Sequence, residues 1–177
     1  YDGFMWIEAQ LDCDGEVEVD KLTLRVPLKS DECTLMHAVA DLIRRNKAGL
    51  IPEGQGEVWN SAGVPKRTVR GQRTIRSEIV PYLWFGGEER GLCWMADSSD
   101  GFNLKDGQPA VRVLRENGAV VVEIDVINTK TKLNGPRRFA FGLQATPVKP
   151  RPKNWRNWSF GWGERVPGML HVLFPFK

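Results

Sequence analysis

The sequence predicts an all-β fold, an antiparallel β-sandwich of about eight strands with one short helix over about 34–46. Three observations lead there. The 18 glycines and 11 prolines among 177 residues are a heavy load of turn formers, which favours many short strands over a helical bundle. Apolar and polar residues alternate with period two along most of the chain, while helical spacing recurs in one stretch only. Strand and helix patterns never alternate as βαβ units would require, so two packed antiparallel layers are the natural arrangement.

The first strand signal is Met5-Trp6-Ile7-Glu8-Ala9-Gln10-Leu11, apolar at odd positions, with Trp6, Glu8 and Gln10 on the other face. After the Asp12-Cys13-Asp14-Gly15 turn, Val17 and Val19 alternate with acids, and the apolar phase then slips to Leu22, Leu24 and Val26. A bulge or tight turn near Asp20-Lys21 would account for the slip, because one extra residue flips every side chain. From Thr34 to Arg45, Leu35, Val39, Leu42 and Ile43 recur at helical spacing, with Ser30 or Asp31 as caps and Gly49 as a stop. Pro52 to Gly71 reads as irregular loop. Further strands are expected at Ile79–Phe85, Arg90–Ala96, Ala110–Arg115, Ala119–Ile127, Arg138–Ala145 and Leu170–Phe174, with Asn117-Gly118 as a hairpin turn.

Composition narrows the function classes. Apolar residues make 41% and charged residues 27% of the chain, as in a folded globular domain. No run approaches the roughly 18–20 apolar residues of a membrane span. The start at Tyr1-Asp2-Gly3, without an initiator Met, leads us to expect one domain over 1–177 cut from a longer chain. Cys13, Cys33 and Cys93 show no CxxC spacing, and a Cys13–Cys33 bridge and three free thiols both remain open. His37 and His171 are far apart, so no metal site is expected. No phosphate loop, nucleophile elbow or dinucleotide fingerprint appears, and no cofactor is expected.

Two clusters could carry a function. Tyr82 to Phe102 reads as two aromatic strands joined by a Gly-Gly turn bearing Glu88, Glu89 and Arg90. Its tryptophans, Trp84 and Trp94, suit either the core or a sugar-stacking platform on which carboxylates accept hydroxyl hydrogen bonds, and Asp97 could add to such a site. Glu88 and Glu89 invite a glycosidase reading, but neighbours on a strand point to opposite faces, which fits the paired-carboxyl geometry poorly. The second cluster, residues 147–163, interleaves prolines, bases and Trp155, Trp158 and Trp162. It suits an inter-domain seam, or a surface for single-stranded nucleic acid or another polyanion. The acidic N-terminal third and the net charge of only +3 count against the polyanion reading.

Trp84-Phe85-Gly86-Gly87-Glu88-Glu89-Arg90-Gly91-Leu92-Cys93-Trp94, followed by Phe141-Gly142-Leu143-Gln144-Ala145-Thr146-Pro147-Val148-Lys149-Pro150, resembles the N-terminal β-sandwich domain of glycoside hydrolase family 123-like proteins. The resemblance covers Glu78 to Trp158; the rest agrees only in architecture. It implies a secreted or periplasmic bacterial parent with β-N-acetylgalactosaminidase-type activity, whose catalytic Asp-Glu pair stands on a separate (β/α)8 barrel. Asp31-Glu32 precedes the expected helix and Glu88-Glu89 stands in a turn, so no catalytic residue is assigned to this chain. The resemblance therefore implies a monomeric, non-catalytic accessory domain that packs on the parent's barrel and contributes to carbohydrate binding there. Trp84, Glu88, Glu89, Arg90, Trp94 and Asp97 are then expected on the substrate- or barrel-facing side, and Trp155, Trp158 and Trp162 in the seam. A free-standing carbohydrate-binding module is the alternative, and a polyanion-binding module the second alternative.

Overall fold

Two antiparallel sheets face each other across an apolar core in the computed structural model, which describes residues 3–39, 47–63, 79–148, 150, 153, 159–160 and 169–170. In chain order the strands are β1 (Phe4–Leu11), β2 (Val17–Val19), β3 (Leu22–Lys29), β4 (Leu35–Val39), β5 (Lys47–Leu50), β6 (Gly56–Asn60), β7 (Tyr82–Gly86), β8 (Gly91–Met95), β9 (Val111–Glu116), β10 (Ala119–Ile127), β11 (Thr131–Leu133) and β12 (Arg137–Thr146). A short parallel pair, β13 (Ser159–Phe160) and β14 (Met169–Leu170), follows. One sheet has six strands in the order β1-β12-β8-β7-β4-β5, the other four in the order β3-β10-β9-β6. Met36, Leu83, Phe85 and Trp94 of the first interleave with Val111, Val113, Val120, Val122 and Ile124 of the second in one core cluster. The chain is thus an all-β sandwich.

The expected slip at Asp20-Lys21 is a corner. β1 pairs with β12, β2 with β11 and β3 with β10, all antiparallel. Together they form one ribbon that leaves the six-stranded sheet, passes through the two-stranded piece and enters the four-stranded sheet. Odd positions point inward in β1 and even ones in β3 because the ribbon bends between them. The partner strand carries the matching irregularity, a register shift between Asp125 and Ile127. The ribbon also explains the uneven charge of the sequence. Glu16 pairs with Lys132 at 2.9 Å and Glu18 with Lys130 at 2.6 Å, so acids from the N-terminal third meet bases from the second half across a ladder.

Two expectations are corrected. No helix forms over the described part of 34–46: Leu35–Val39 is strand β4, held between β5 and β7, and residues 40–46 lie outside the described residues. Leu35 and Val39 matched the helical period, but Met36 and Ala38 are the buried residues of an alternating strand. Ladders on both sides outweighed local propensity. The expected loop over 52–71 contains β6, an edge strand beside β9, followed by a short 3-10 turn at Ser61–Gly63. There the Ser61 hydroxyl accepts hydrogen bonds from the Ala110 and Val111 amides at 3.1 Å each. Asn117-Gly118 forms the expected hairpin turn, with φ of 50° and 75°. Cys13, Cys33 and Cys93 are free thiols.

The outer face of the four-stranded sheet is closed by an ionic ladder. Asp125, 1% exposed, accepts both arms of the Arg112 guanidinium at 2.9 and 2.7 Å and the Thr23 hydroxyl at 2.7 Å. Glu123 lies between Arg25 and Arg112, and Arg25 reaches on to Glu116. Burial pushes the Glu123 carboxyl up, but the hydrogen bonds from Arg25 and Arg112 outweigh it and hold the carboxyl below the usual glutamate range. A depressed carboxyl stabilises the fold above its unfolded pKa, and that contribution is lost as pH falls through the folded value. The urea midpoint is therefore expected to drop as pH falls below the ordinary glutamate range, and Glu123→Gln should flatten that drop. An unchanged slope in the variant would remove Glu123 from the account.

Candidate functional site

The β7–β8 hairpin places the residues singled out in the sequence. Gly87 donates its amide to the Arg90 carbonyl at 2.9 Å and closes a turn whose exposed tip carries Glu88 and Glu89. Across the hairpin Leu83 faces Trp94, Trp84 faces Cys93 and Phe85 faces Leu92. Residues opposite one another share a face, so Trp84 and Trp94 lie on opposite sides of the sheet. Trp94 is 4% exposed and belongs to the core between the sheets. Its place on a substrate-facing surface is corrected accordingly. Asp97 is exposed but follows the far end of β8, about 20 Å along the strand from the turn, and does not join Glu88, Glu89 and Arg90. Arg90 instead leans toward Glu32 at 3.5 Å. Trp155, Trp158 and Trp162 lie outside the described residues, as does most of 147–163.

Trp84 turns outward, and its neighbours make room for it. A Cβ at Gly91 would stand 2.6 Å from three indole atoms at once, and one at Gly86 would stand 2.9 Å from one of the same three, Cζ2. Equal distances mean that the indole lies with its face on the glycine pair. Its Nε1 donates to the Thr146 hydroxyl at 2.9 Å, which fixes the ring's direction along the sheet. Gly91→Ala is expected to lift the indole and break this bond, blue- or red-shifting Trp84 emission and lowering stability by about 1–3 kcal/mol. An unaltered spectrum would show that the ring does not rest on Gly91.

The same outer face continues across the six-stranded sheet. The ladder registers place Phe4, Gln144, Cys93, Trp84 and His37 in one row, and Trp6, Gly142, Met95, Tyr82 and Val39 in the next. Phe4 and Trp6 are each 43% exposed, with ring centroids 6.4 Å apart and planes tilted by 31°. Both lean over Gly142, where a Cβ would meet the Phe4 ring at 2.7 Å. Three strand spacings, about 14 Å, separate this pair from Trp84. Gln144 stands between them, and Tyr82 and Cys93 contact each other through hydroxyl and thiol at 3.3 Å. Burial, and then the bond to Cys93, push the Tyr82 hydroxyl up to about 12, so it stays a neutral donor and acceptor at physiological pH. His37 meets the Tyr82 ring edge-on at 6.1 Å.

Sequence reasoning did not single out Phe4, Trp6 and Gln144 for this face. The signal was there: Trp6 occupies the polar phase of β1, and Gly142 and Gln144 the small or polar phase of β12. Glycine opposite a large ring on a sheet marks a place where the ring lies down. Among the described residues no group of three or more His, Cys, Asp or Glu could hold a metal ion, and no helix is long and apolar enough to cross a membrane. Comparisons with family models, with curated proteins and with solved structures find no match.

Proposed function

We propose that this chain is a non-catalytic carbohydrate-binding accessory domain of a glycoside hydrolase, and that it meets sugar with the outer face of its six-stranded sheet. The observation that carries the reading is a set of outward rings seated against glycines, Trp84 face-on against Gly86 and Gly91, and Phe4 over Gly142 with Trp6 beside it. A pyranose offers axial C–H bonds to such ring faces while its hydroxyls seek polar tips, which Gln144, Tyr82 and His37 supply along the same rows. A ligand touching Trp84 and the Phe4–Trp6 pair together must be longer than one sugar ring. The family resemblance of the β7–β8 and β12 segments supports the same class and suggests an N-acetylhexosamine-containing glycan.

A second reading has this face packed against the catalytic barrel of the same parent chain. Its breadth favours that: Leu35 and Leu50, the latter 70% exposed, extend the apolar strip to the β5 edge. The polyanion reading rests on residues 147–163, most of which lie outside the described residues.

A glycan array probed with the isolated domain, together with an aryl-glycoside assay, tests the proposal. Retention of β-linked oligosaccharides without any turnover is expected. Turnover abolished by Glu88→Gln or Glu89→Gln would overturn the non-catalytic assignment, and an array without retained glycans would leave the barrel-packing reading in its place.

A further inference from the structure

The sandwich is open at the end where β3, the β7–β8 turn and β12 terminate. A cleft of about 370 Å³ lies there, lined by Leu28, Cys33, Phe85, Leu92 and Ala145. Leu28, Phe85, Leu92 and Ala145 are inner-face positions, so the opening leads between the sheets, while Gly86, Gly91 and Thr146, at the strand ends next to Trp84, form the rest of its wall. Past Leu28, Phe85 and Leu92 it narrows to an apolar crevice of about 10 Å³ bounded by Val26, Val122, Ile124, Leu143 and Trp94. The Trp94 Nε1 is buried without a hydrogen-bond partner. An apolar crevice of that size holds no stable water, which needs two to four polar partners. The two layers are therefore incompletely closed along this line.

The lining carries two bases and one acid, with Glu88 and Glu89 on the tip of the adjoining turn. Lys29, Arg90 and Glu32, together with Gly86, Gly91 and Thr146, complete the lining, and its single acid is bracketed by both bases at 3.9 and 3.5 Å, beyond good hydrogen-bond distance. Each base thus keeps donors for a second acid. Arg115 adds a charge nearby: its guanidinium bonds the Pro52 and Ile51 carbonyls at 2.8 and 3.3 Å, with no carboxylate partner among the described residues. Burial pushes the Cys33 thiol up to about 11, against the pull of Arg115, so the thiol is a neutral part of the wall at physiological pH.

We propose that this cleft binds a small apolar carboxylate, of the medium-chain fatty-acid class, with its tail between the sheets and its head at Lys29 and Arg90. At the ~30 Å³ that a water molecule occupies in the liquid, the 370 Å³ volume holds about a dozen non-hydrogen atoms, the size of decanoate. A bulk of that order is at the small end of ordinary ligand pockets. An anionic head complements a lining of two bases and one acid, and the apolar wall offers nothing to a hydrated ligand.

Titration of the ¹⁵N-labelled protein with decanoate below its micellar concentration tests this, read at the Trp94 indole N–H, which Trp94→Phe identifies. The resonance is expected to shift and saturate. Leu92→Trp should weaken binding at least tenfold by filling the cleft; Ala145→Trp, at the exposed rim, serves the same purpose if the first variant does not fold. Lys29→Glu with Arg90→Glu should abolish the preference for decanoate over decanol, and Trp6→Ala should leave the titration unchanged. No shift at Trp94, or undiminished binding in both cleft-filling variants, overturns the site. Equal binding of decanol and decanoate by the unmodified protein overturns the assigned head group.

Discussion

Replacing Arg112 with Met is expected to lower the unfolding free energy by about 3–5 kcal/mol. The side chain is not the issue, since Met keeps its length and much of its packing. The cost arises at Asp125, 1% exposed, which would keep only the Thr23 hydroxyl after losing a two-armed guanidinium. An uncompensated buried carboxylate is far more expensive than a missing pair. The double variant Arg112→Met with Asp125→Leu should therefore recover most of the loss. Denaturant titration of both proteins decides between charge and packing. A double variant worse than the single one would contradict the assignment, and so would a loss below about 1 kcal/mol in the single variant.

The second large effect is expected at Gly101. It has a φ of +81°, and an added Cβ would run into the Arg138 carbonyl oxygen, with the Arg138 carbonyl carbon at 2.7 Å and the Phe139 Cβ at 2.8 Å. The glycine lets the turn after β8 pass beneath the start of β12, where Arg137 donates to the Gly101 carbonyl at 2.6 Å. Gly101→Ala combines a strained backbone with overpacking against a main chain that cannot yield, and should cost about 3 kcal/mol or more. Gly107 is the control. Its φ is +78°, but nothing lies within 4 Å of its added Cβ, so Gly107→Ala should show only the backbone cost of about 1 kcal/mol. Equal losses at the two positions would mean that the close approach at Gly101 carries no energy.

Much of the sandwich was legible because its clearest signals are local. Val120, Val122 and Ile124 alternate with Val121, Glu123 and Asp125, and Asn117-Gly118 supplies the positive φ that a tight hairpin needs. β4 was not legible, since Leu35 and Val39 satisfy a helical period and only pairing with β5 and β7 selects the strand. The two tryptophans of the aromatic hairpin were separated by register. Its ladder pairs residues of opposite parity, Trp84 with Cys93 and Leu83 with Trp94, so Trp84 and Trp94 cannot share a face. That depends on the length of the turn, which composition alone does not determine. The charge asymmetry was visible as two blocks along the chain, but their meaning was not, because Glu16 and Lys132 meet only once the ribbon closes.

Those registers also assemble the outer face on which the functional account rests. The measurement that bears on it most directly is calorimetric titration of an oligosaccharide retained on the glycan array into the unmodified domain and into Trp84→Ala and Trp6→Ala. Each variant is expected to bind at least tenfold more weakly while keeping its fold by circular dichroism. Trp94→Phe, altered only between the sheets, should bind as the parent does. Undiminished affinity in both outer-face variants would show that the rings seated against Gly86, Gly91 and Gly142 are not a sugar platform.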